Sequence, residues 1–166
     1  MRVDKPEAVK EILHAIKGEY EPFPNRYIRD SLVFWLLCTG VHLYNLGEIK
    51  TADVNRSTMQ ITTNGIVYDI KDKDIVTLID DWCKCDYVET ARFGPVYLYD
   101  CEYLLRPNVI DSIFSEKSDI STFIAAVSRV SNHYFDMTGK RITMSRIGVE
   151  MPRVFSDVVD IIEVEE

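Results

Sequence analysis

Apolar positions recur at helical spacing from the start of the chain. Val9, Ile12, Leu13 and Ile16 fall at i, i+3, i+4 and i+7, which is one face of an amphipathic helix. Asp4-Lys5-Pro6-Glu7 supplies its beginning, with Asp4 as cap and Pro6 and Glu7 in the first turn. Gly18 supplies its end. Glu21-Pro22-Phe23-Pro24 reads as a stiff linker, and Asn25 as the cap of a second helix over 26–38. Its apolar residues Leu32, Val33, Phe34, Trp35, Leu36 and Leu37 run almost all the way round, so this helix is predicted to be central and buried.

Thr39-Gly40 breaks that helix, and Gly40 gives the corner its backbone freedom. Leu43, Leu46 and Ile49 then share one side of a short helix over 43–50. At this point the period changes from helical to alternating. Met59, Ile61 and Thr63 alternate with Gln60 and Thr62, and Ile66, Tyr68 and Ile70 alternate on the way back. Asn64-Gly65 between them is a strong two-residue hairpin signal, so 58–70 is expected to be a small antiparallel hairpin.

Helical spacing returns at Ile75, Leu78, Ile79 and Trp82, with Asp72 or Asp74 as the cap. Val96, Tyr97, Leu98 and Tyr99 read as a short strand, and 108–114 as a helical turn. Ser118 or Asp119 caps a long late helix with Ile120, Phe123, Ile124, Val127 and Val130 as its stripe, stopped at Thr138-Gly139. Lys140-Arg141-Ile142-Thr143 re-enters order, and Pro152 limits any helix before it. The apolar set Val154, Phe155, Val158, Val159, Ile161 and Ile162 forms a final helix or, given its β-branched content, a paired strand. The expected class is α+β, mainly helical, with a small antiparallel hairpin or sheet. Two segments are expected: a domain over 1–149 and an acidic amphipathic C-terminal tail over 150–166.

Composition narrows the setting. The chain has 166 residues, 46% of them hydrophobic and 28% charged, enough for one domain with its own core. No apolar run reaches the roughly 18 residues of a membrane span. The opening MRVDKPEAVKEIL is charged and lacks an apolar signal-type run. A cytoplasmic location and no membrane partner are expected. Cys38 lies within an apolar helix and reads as a core residue. Cys83-Lys84-Cys85 is C-x-C without a second pair at metal spacing, so with Cys101 these read as reduced thiols. No metal and no cofactor is expected.

The net charge of −8 argues against a general nucleic-acid binder. It is unevenly placed, however. Residues 150–166 hold Glu150, Asp157, Asp160, Glu163, Glu165 and Glu166 against Arg153 alone, a net −5, which leaves −3 for residues 1–149. A local basic patch on the body is therefore compatible with the total.

One constellation points to a family. Thr39-Gly40-Val41-His42-Leu43-Tyr44-Asn45 is a Thr-Gly corner followed by a short helix and by Asp53 ahead of the hairpin. This stretch resembles the start of the catalytic domain of tyrosine recombinases, the phage integrases, where the corner reads roughly T-G-x-R-x-x-E. The resemblance extends over residues 4–82 in element order. It continues more weakly from 95 to 147, where Gly139-Lys140-Arg141-Ile142-Thr143 resembles the segment before the family's H-x-x-R motif.

What the resemblance implies is a scaffold without its chemistry. In the family a tyrosine hydroxyl attacks a DNA phosphate, two arginines stabilise the charge that builds there, and a hairpin lysine protonates the leaving oxygen. Here His42 and Asn45 stand at the first arginine and acid positions, and Thr63-Asn64-Gly65 has no lysine. Ser145 and Gly148 stand at the H-x-x-R positions, with Arg146 close by, and the last tyrosine, Tyr134, precedes that motif. No catalytic residue is therefore expected, and His42, Asn45, Ser145 and Gly148 are read as degenerate catalytic positions. His42 reads first as a structural residue bonded across the corner, His14 as an exposed polar residue, and His133 as a cap or surface residue. Tyr97, Tyr99 and Tyr103 read as packing rather than a base-stacking platform.

Two functions follow as expectations. The first is a non-catalytic integrase-like domain of a phage or mobile element that binds duplex DNA and regulates transcription. Its phosphate contacts would be Arg26, Arg29, Lys50, Arg56, Lys71, Lys73, Lys140, Arg141 and Arg146. The second is an acidic protein-interaction module that binds a host or phage protein, or forms a homo-oligomer, through residues 150–166.

Overall fold

A computed structural model describes residues 3–84, 88–90, 94–96, 103–105, 116–147 and 159–164; for 44, 88–90, 94–96, 116–122, 145–147 and 159–161 it describes the backbone. Helix α1 spans Pro6–Ile16 and buries the predicted face of Val9, Ile12, Leu13 and Ile16. Its cap position is Lys5 rather than Asp4, with Pro6 opening the helix. Gly18 does not end the helical path. The chain tightens into a 3-10 turn over Lys17–Tyr20, and Tyr20 is buried there.

Helix α2 runs over Pro24–Cys38, starting two residues earlier than expected. Phe23 occupies the cap position with no side-chain bond, so Asn25 lies inside the first turn instead of capping it. Every residue from Asp30 to Cys38 is buried, which makes α2 the axis of the core. Thr39 Oγ1 donates to the Leu36 carbonyl at 2.8 Å, and Gly40 turns the chain at φ +101. Helix α3 is a single turn, Leu43–Leu46, shorter than expected, and a 3-10 turn over Thr51–Asp53 follows.

The hairpin is present and gains a strand. Strands β1 (Val54–Asn55), β2 (Gln60–Thr63) and β3 (Ile66–Asp69) form an antiparallel sheet in the order β1-β2-β3. Its register pairs Ile61 with Tyr68 and Thr63 with Ile66. Asn64 and Gly65 have φ of +51 and +74, the left-handed pair that a tight hairpin turn requires. Ile61, Thr63, Tyr68 and Ile70 face the core, whereas Ile66, at the turn, is 39% exposed.

Helix α4 covers Lys73–Cys83, capped by Asp72, whose Oδ1 accepts from the Asp74 amide at 2.8 Å. Ile75, Ile79 and Trp82 enter the core. The Trp82 indole donates to the Leu104 carbonyl at 2.6 Å, and Leu104 N–H donates to the Ile49 carbonyl at 2.8 Å, so residues 103–105 tie α4 to the end of the corner segment. Strands β4 (Val88–Thr90) and β5 (Gly94–Val96) pair as a small ribbon. The expected strand over 96–99 lies outside the described residues beyond Val96, as does the turn over 108–114.

Helix α5 spans Glu116–Thr138, beginning ahead of both predicted caps, and it packs along α1 and α2. Phe123, Val127 and Val130 of its predicted stripe are buried, and Gly139 N–H closes it on the Phe135 carbonyl at 2.8 Å. Strand β6 (Ile142–Ile147) then pairs antiparallel with β7 (Val159–Val164). Of the two outcomes expected for the apolar segment, helix or paired strand, residues 159–164 form the strand that β-branched side chains favour, and 154–158 lie outside the described residues. Val3 N–H donates to the Ile162 carbonyl at 2.8 Å, and Ile162 and Val164 are buried in the common core. Among the described residues no helix is long and apolar enough to cross a membrane.

Candidate functional site

The corner that carries the family resemblance is a closed polar cluster. Asn45, on the one-turn helix α3, is 2% exposed. Its Nδ2 donates to Tyr68 Oη at 2.7 Å, and its Oδ1 accepts from Asn64 Nδ2 at 2.9 Å. A residue from α3, one from β3 and one from the hairpin turn are therefore locked together. His42 meets Tyr68 edge-on, with ring centroids 6.0 Å apart, and its Nδ1 is buried with no hydrogen-bond partner. The expected bond from His42 across the corner is absent among the described residues; Asn45 makes that connection instead. The cluster uses amide and phenol groups to position the hairpin, and it offers no cation to a phosphate.

A second polar cluster lies at the seam of α2 and α5, and sequence reasoning missed it. Asp30 is 0% exposed. Arg129 on α5 donates to it twice, Nε to Oδ2 at 2.7 Å and Nη2 to Oδ1 at 2.9 Å. Tyr20 Oη donates to the same Oδ2 at 2.8 Å. Arg29 Nε stands 3.6 Å from Asp30 Oδ1, too long for a hydrogen bond. Burial and, next, the Asp30 charge push the Tyr20 hydroxyl well above the ordinary tyrosine pKa. Burial is also the main cause that lowers the Arg29 pKa, with Arg129 and Arg26 adding to it and Asp30 opposing. The signal in the sequence was Asp30 itself. A carboxylate in a helix predicted to be buried on all sides requires a cationic partner.

His133 packs edge-on against Tyr20 with centroids 4.8 Å apart and lies 4.0 Å from Glu19. It sits within α5, so it is a packing residue of this seam rather than a cap. His14 is exposed, as expected.

The nine predicted phosphate contacts do not share one environment. Arg26 is exposed over the Phe23 ring at 4.8 Å, and Arg29 is largely buried beside Asp30. Arg56 is engaged by Asp80 on α4 through Nε at 2.8 Å and Nη2 at 2.6 Å. Lys71 and Lys73 are exposed at the start of α4, where Lys10 already bridges Asp72 at 2.9 Å and Asp74 at 2.7 Å. Lys50 is exposed, and its backbone bridges Tyr103. Lys140 and Arg141 are exposed after α5, with Arg141 over Phe135 at 5.3 Å. Arg146 stands opposite Asp160 in the β6–β7 register, and Ser145 opposite Ile161. Gly148 lies outside the described residues, as do Tyr97, Tyr99, Cys85 and Cys101. Arg26 and Trp35, against which Lys10 packs, are nine residues apart on α2, about 13 Å along its axis.

Tyr134, the last tyrosine, is 8% exposed. Cys38 is buried, and burial pushes its thiol well up. Among the described residues no three His, Cys, Asp or Glu side chains gather closely enough to hold a metal ion. Compared with protein-family models, with curated proteins and with solved structures, the chain matches none.

Proposed function

We propose that this chain is a non-catalytic binding domain of integrase-like element order that engages duplex DNA as a regulator. The observation that carries the reading is the α2–α5 seam, where Arg29 and Arg129 share the single buried carboxylate of Asp30 and Arg26 stands three positions before Arg29 on α2. A local cation surplus of this kind attracts backbone phosphate even on an acidic chain. Support for the loss of strand-transfer chemistry comes from the corner. Asn45 is committed to Tyr68 and Asn64, and His42 cannot grip a phosphate with two parallel donors. The buried Tyr134 is a poor nucleophile for a phosphodiester that must reach it. A mobility-shift titration at low salt tests the reading: binding that weakens steeply with added salt is expected, and no shift at low salt removes it.

A second reading, an acidic protein-interaction module, is favoured by the hairpin. Arg56 and Lys10 are neutralised by Asp80, Asp72 and Asp74, and Val67 on strand β3 is 57% exposed. On that reading the contact lies at the hairpin rather than along the apolar C-terminal segment, because Ile162 and Val164 are already spent on the core. Sedimentation of the chain alone and with candidate recombinase partners separates the two readings.

A further inference from the structure

The α2–α5 seam holds more positive charge than its own carboxylate absorbs. Asp30 is the only buried carboxylate among the described residues. Both its oxygens are engaged: Oδ2 accepts from Tyr20 and from Arg129 Nε, and Oδ1 accepts from Arg129 Nη2. Arg29 is left over. Its Nε is buried, lies 3.6 Å from Oδ1, and has no hydrogen-bond partner among the described residues. Arg26 precedes it by three positions on α2, which places the two on neighbouring sites of one helix face and adds a like charge. The nearby carboxylate of Glu19 is 4.0 Å from His133.

The one carboxylate that meets Arg29 is shared with Arg129, so it offsets only part of the positive charge gathered at the seam. Burying a charged donor without a bond forfeits its hydration, and two neighbouring arginines add repulsion. The site is nevertheless reachable. The side chains of Arg29 and Arg129 keep 23% and 29% of their surface exposed, and Arg26 is exposed. An incoming group can approach the outer edges of the forks without unfolding the seam.

We propose that this seam is an anion site for a tetrahedral phosphate group, received by Arg29 with Arg26 and Arg129 around it. Phosphate suits the donors better than a single carboxylate does. Its charge is spread over several oxygens, and arginine forks bind such oxygens in parallel pairs. A phosphate carried by DNA and a free phosphate or phosphomonoester present the same chemistry. For the DNA source the inference rests on the regulator reading above; for a small phosphate it stands apart from it.

The test follows the arginine Nε–H resonances of the full chain by NMR during titration with inorganic phosphate and, separately, with a short duplex. Chloride at matched ionic strength is the control. The expected result is a saturable movement of the Arg29 resonance with phosphate and none with chloride. Arg29→Lys, which keeps the charge but loses the fork, should weaken the phosphate response by about tenfold, the loss of one charge-assisted pair of bonds. Movement with phosphate but not with duplex supports a small-phosphate site and removes DNA as the source of its phosphate. Duplex binding with an Arg29 resonance unmoved by duplex and by phosphate overturns the site and leaves the DNA reading in place. An Arg29 resonance unmoved by phosphate and by duplex overturns the inference outright, whether or not any variant folds.

Discussion

Arg129 on α5 holds Asp30 on α2 with both arms of its fork, at 2.7 and 2.9 Å, across 99 positions of sequence. This pair is the main polar contact in the packing of the two longest helices. Removing one partner of a buried pair strands the other, at a cost of about 3–5 kcal/mol. Asp30→Asn should therefore lower the midpoint of chemical unfolding severely, since Arg29 and Arg129 would face each other without a counter-charge. Arg129→Met should cost at least as much, because it strands the fully buried Asp30 carboxylate with Tyr20 and the more distant Arg29 as its remaining partners. The double variant should be more stable than the sum of the singles implies. Equal midpoints for wild type and Asp30→Asn would show that the pair does not hold the seam.

Tyr20 makes the same seam sensitive to alkali. Burial, and after it the Asp30 charge, raises its hydroxyl pKa above that of an unfolded tyrosine. A raised folded pKa favours the neutral form, so this stabilisation is complete below about pH 10 and is lost as pH rises beyond it. Tyrosinate absorbance should therefore report Tyr20 ionising only together with unfolding. Tyr20→Phe removes one donor from Asp30 and should cost about 1–3 kcal/mol at neutral pH. It should also flatten the alkaline decline in the unfolding midpoint. An equally steep decline in the variant would assign the effect to other groups.

The parts of this fold that were legible in the sequence are those with a local cause. Asn64-Gly65 names its own turn, the stripe Val9, Ile12, Leu13 and Ile16 names its own face, and Asp72 caps the helix it precedes. Less legible were features decided by partners distant in the chain. The segment 159–164 is a strand because β6 and Val3 offer it backbone partners, and its apolar content alone also fitted a helix. The candidate site divides in the same way. Asn45 and His42 were singled out, but their partner Tyr68 lies 23 residues beyond Asn45. Asp30 was visible as a charge in an apolar helix, whereas its match to Arg129 was not.

The corner cluster gives a graded prediction. Asn45 Nδ2 donates to Tyr68 Oη, so Tyr68→Phe takes the acceptor from a buried donor at a cost of about 1–3 kcal/mol. Asn64→Ala removes the second link and also places alanine at φ +51, a strained position for it. Asn64→Gly loses the link but relieves the backbone, so it should be the milder change. Thermal unfolding of the three variants should rank Asn64→Gly as the most stable. If Asn64→Ala and Asn64→Gly melt together, the turn conformation is not the controlling cost.

The C-terminal strand should behave as core. Ile162 is 2% exposed, and Ile162→Ala should cost about 2–5 kcal/mol through lost burial and the cavity left behind. Glu163, its exposed neighbour, should tolerate alanine within about 0.5 kcal/mol. Hydrogen exchange should show the β6–β7 amides opening together with α2. If Ile162→Ala is as mild as Glu163→Ala, the strand contributes no core energy.

Two glycines that look alike in the sequence should respond in opposite ways. Gly18 lies within a 3-10 turn, and an added Cβ would meet nothing within 4 Å. Gly18→Ala should stabilise the chain by about 0.4–1 kcal/mol, because it narrows the unfolded ensemble without straining the folded one. Gly40 also has open space around it, but its φ of +101 lies where side chains are disfavoured. Gly40→Ala should cost on the order of 1–3 kcal/mol in backbone strain alone. That strain falls on the corner that orients His42 and Asn45, so the Asn45–Tyr68 bond should weaken as well. Denaturant unfolding of both variants, with the Asn45 amide resonances followed by NMR, checks the contrast. A Gly40→Ala chain as stable as wild type, with those resonances unmoved, would mean that the corner does not depend on glycine.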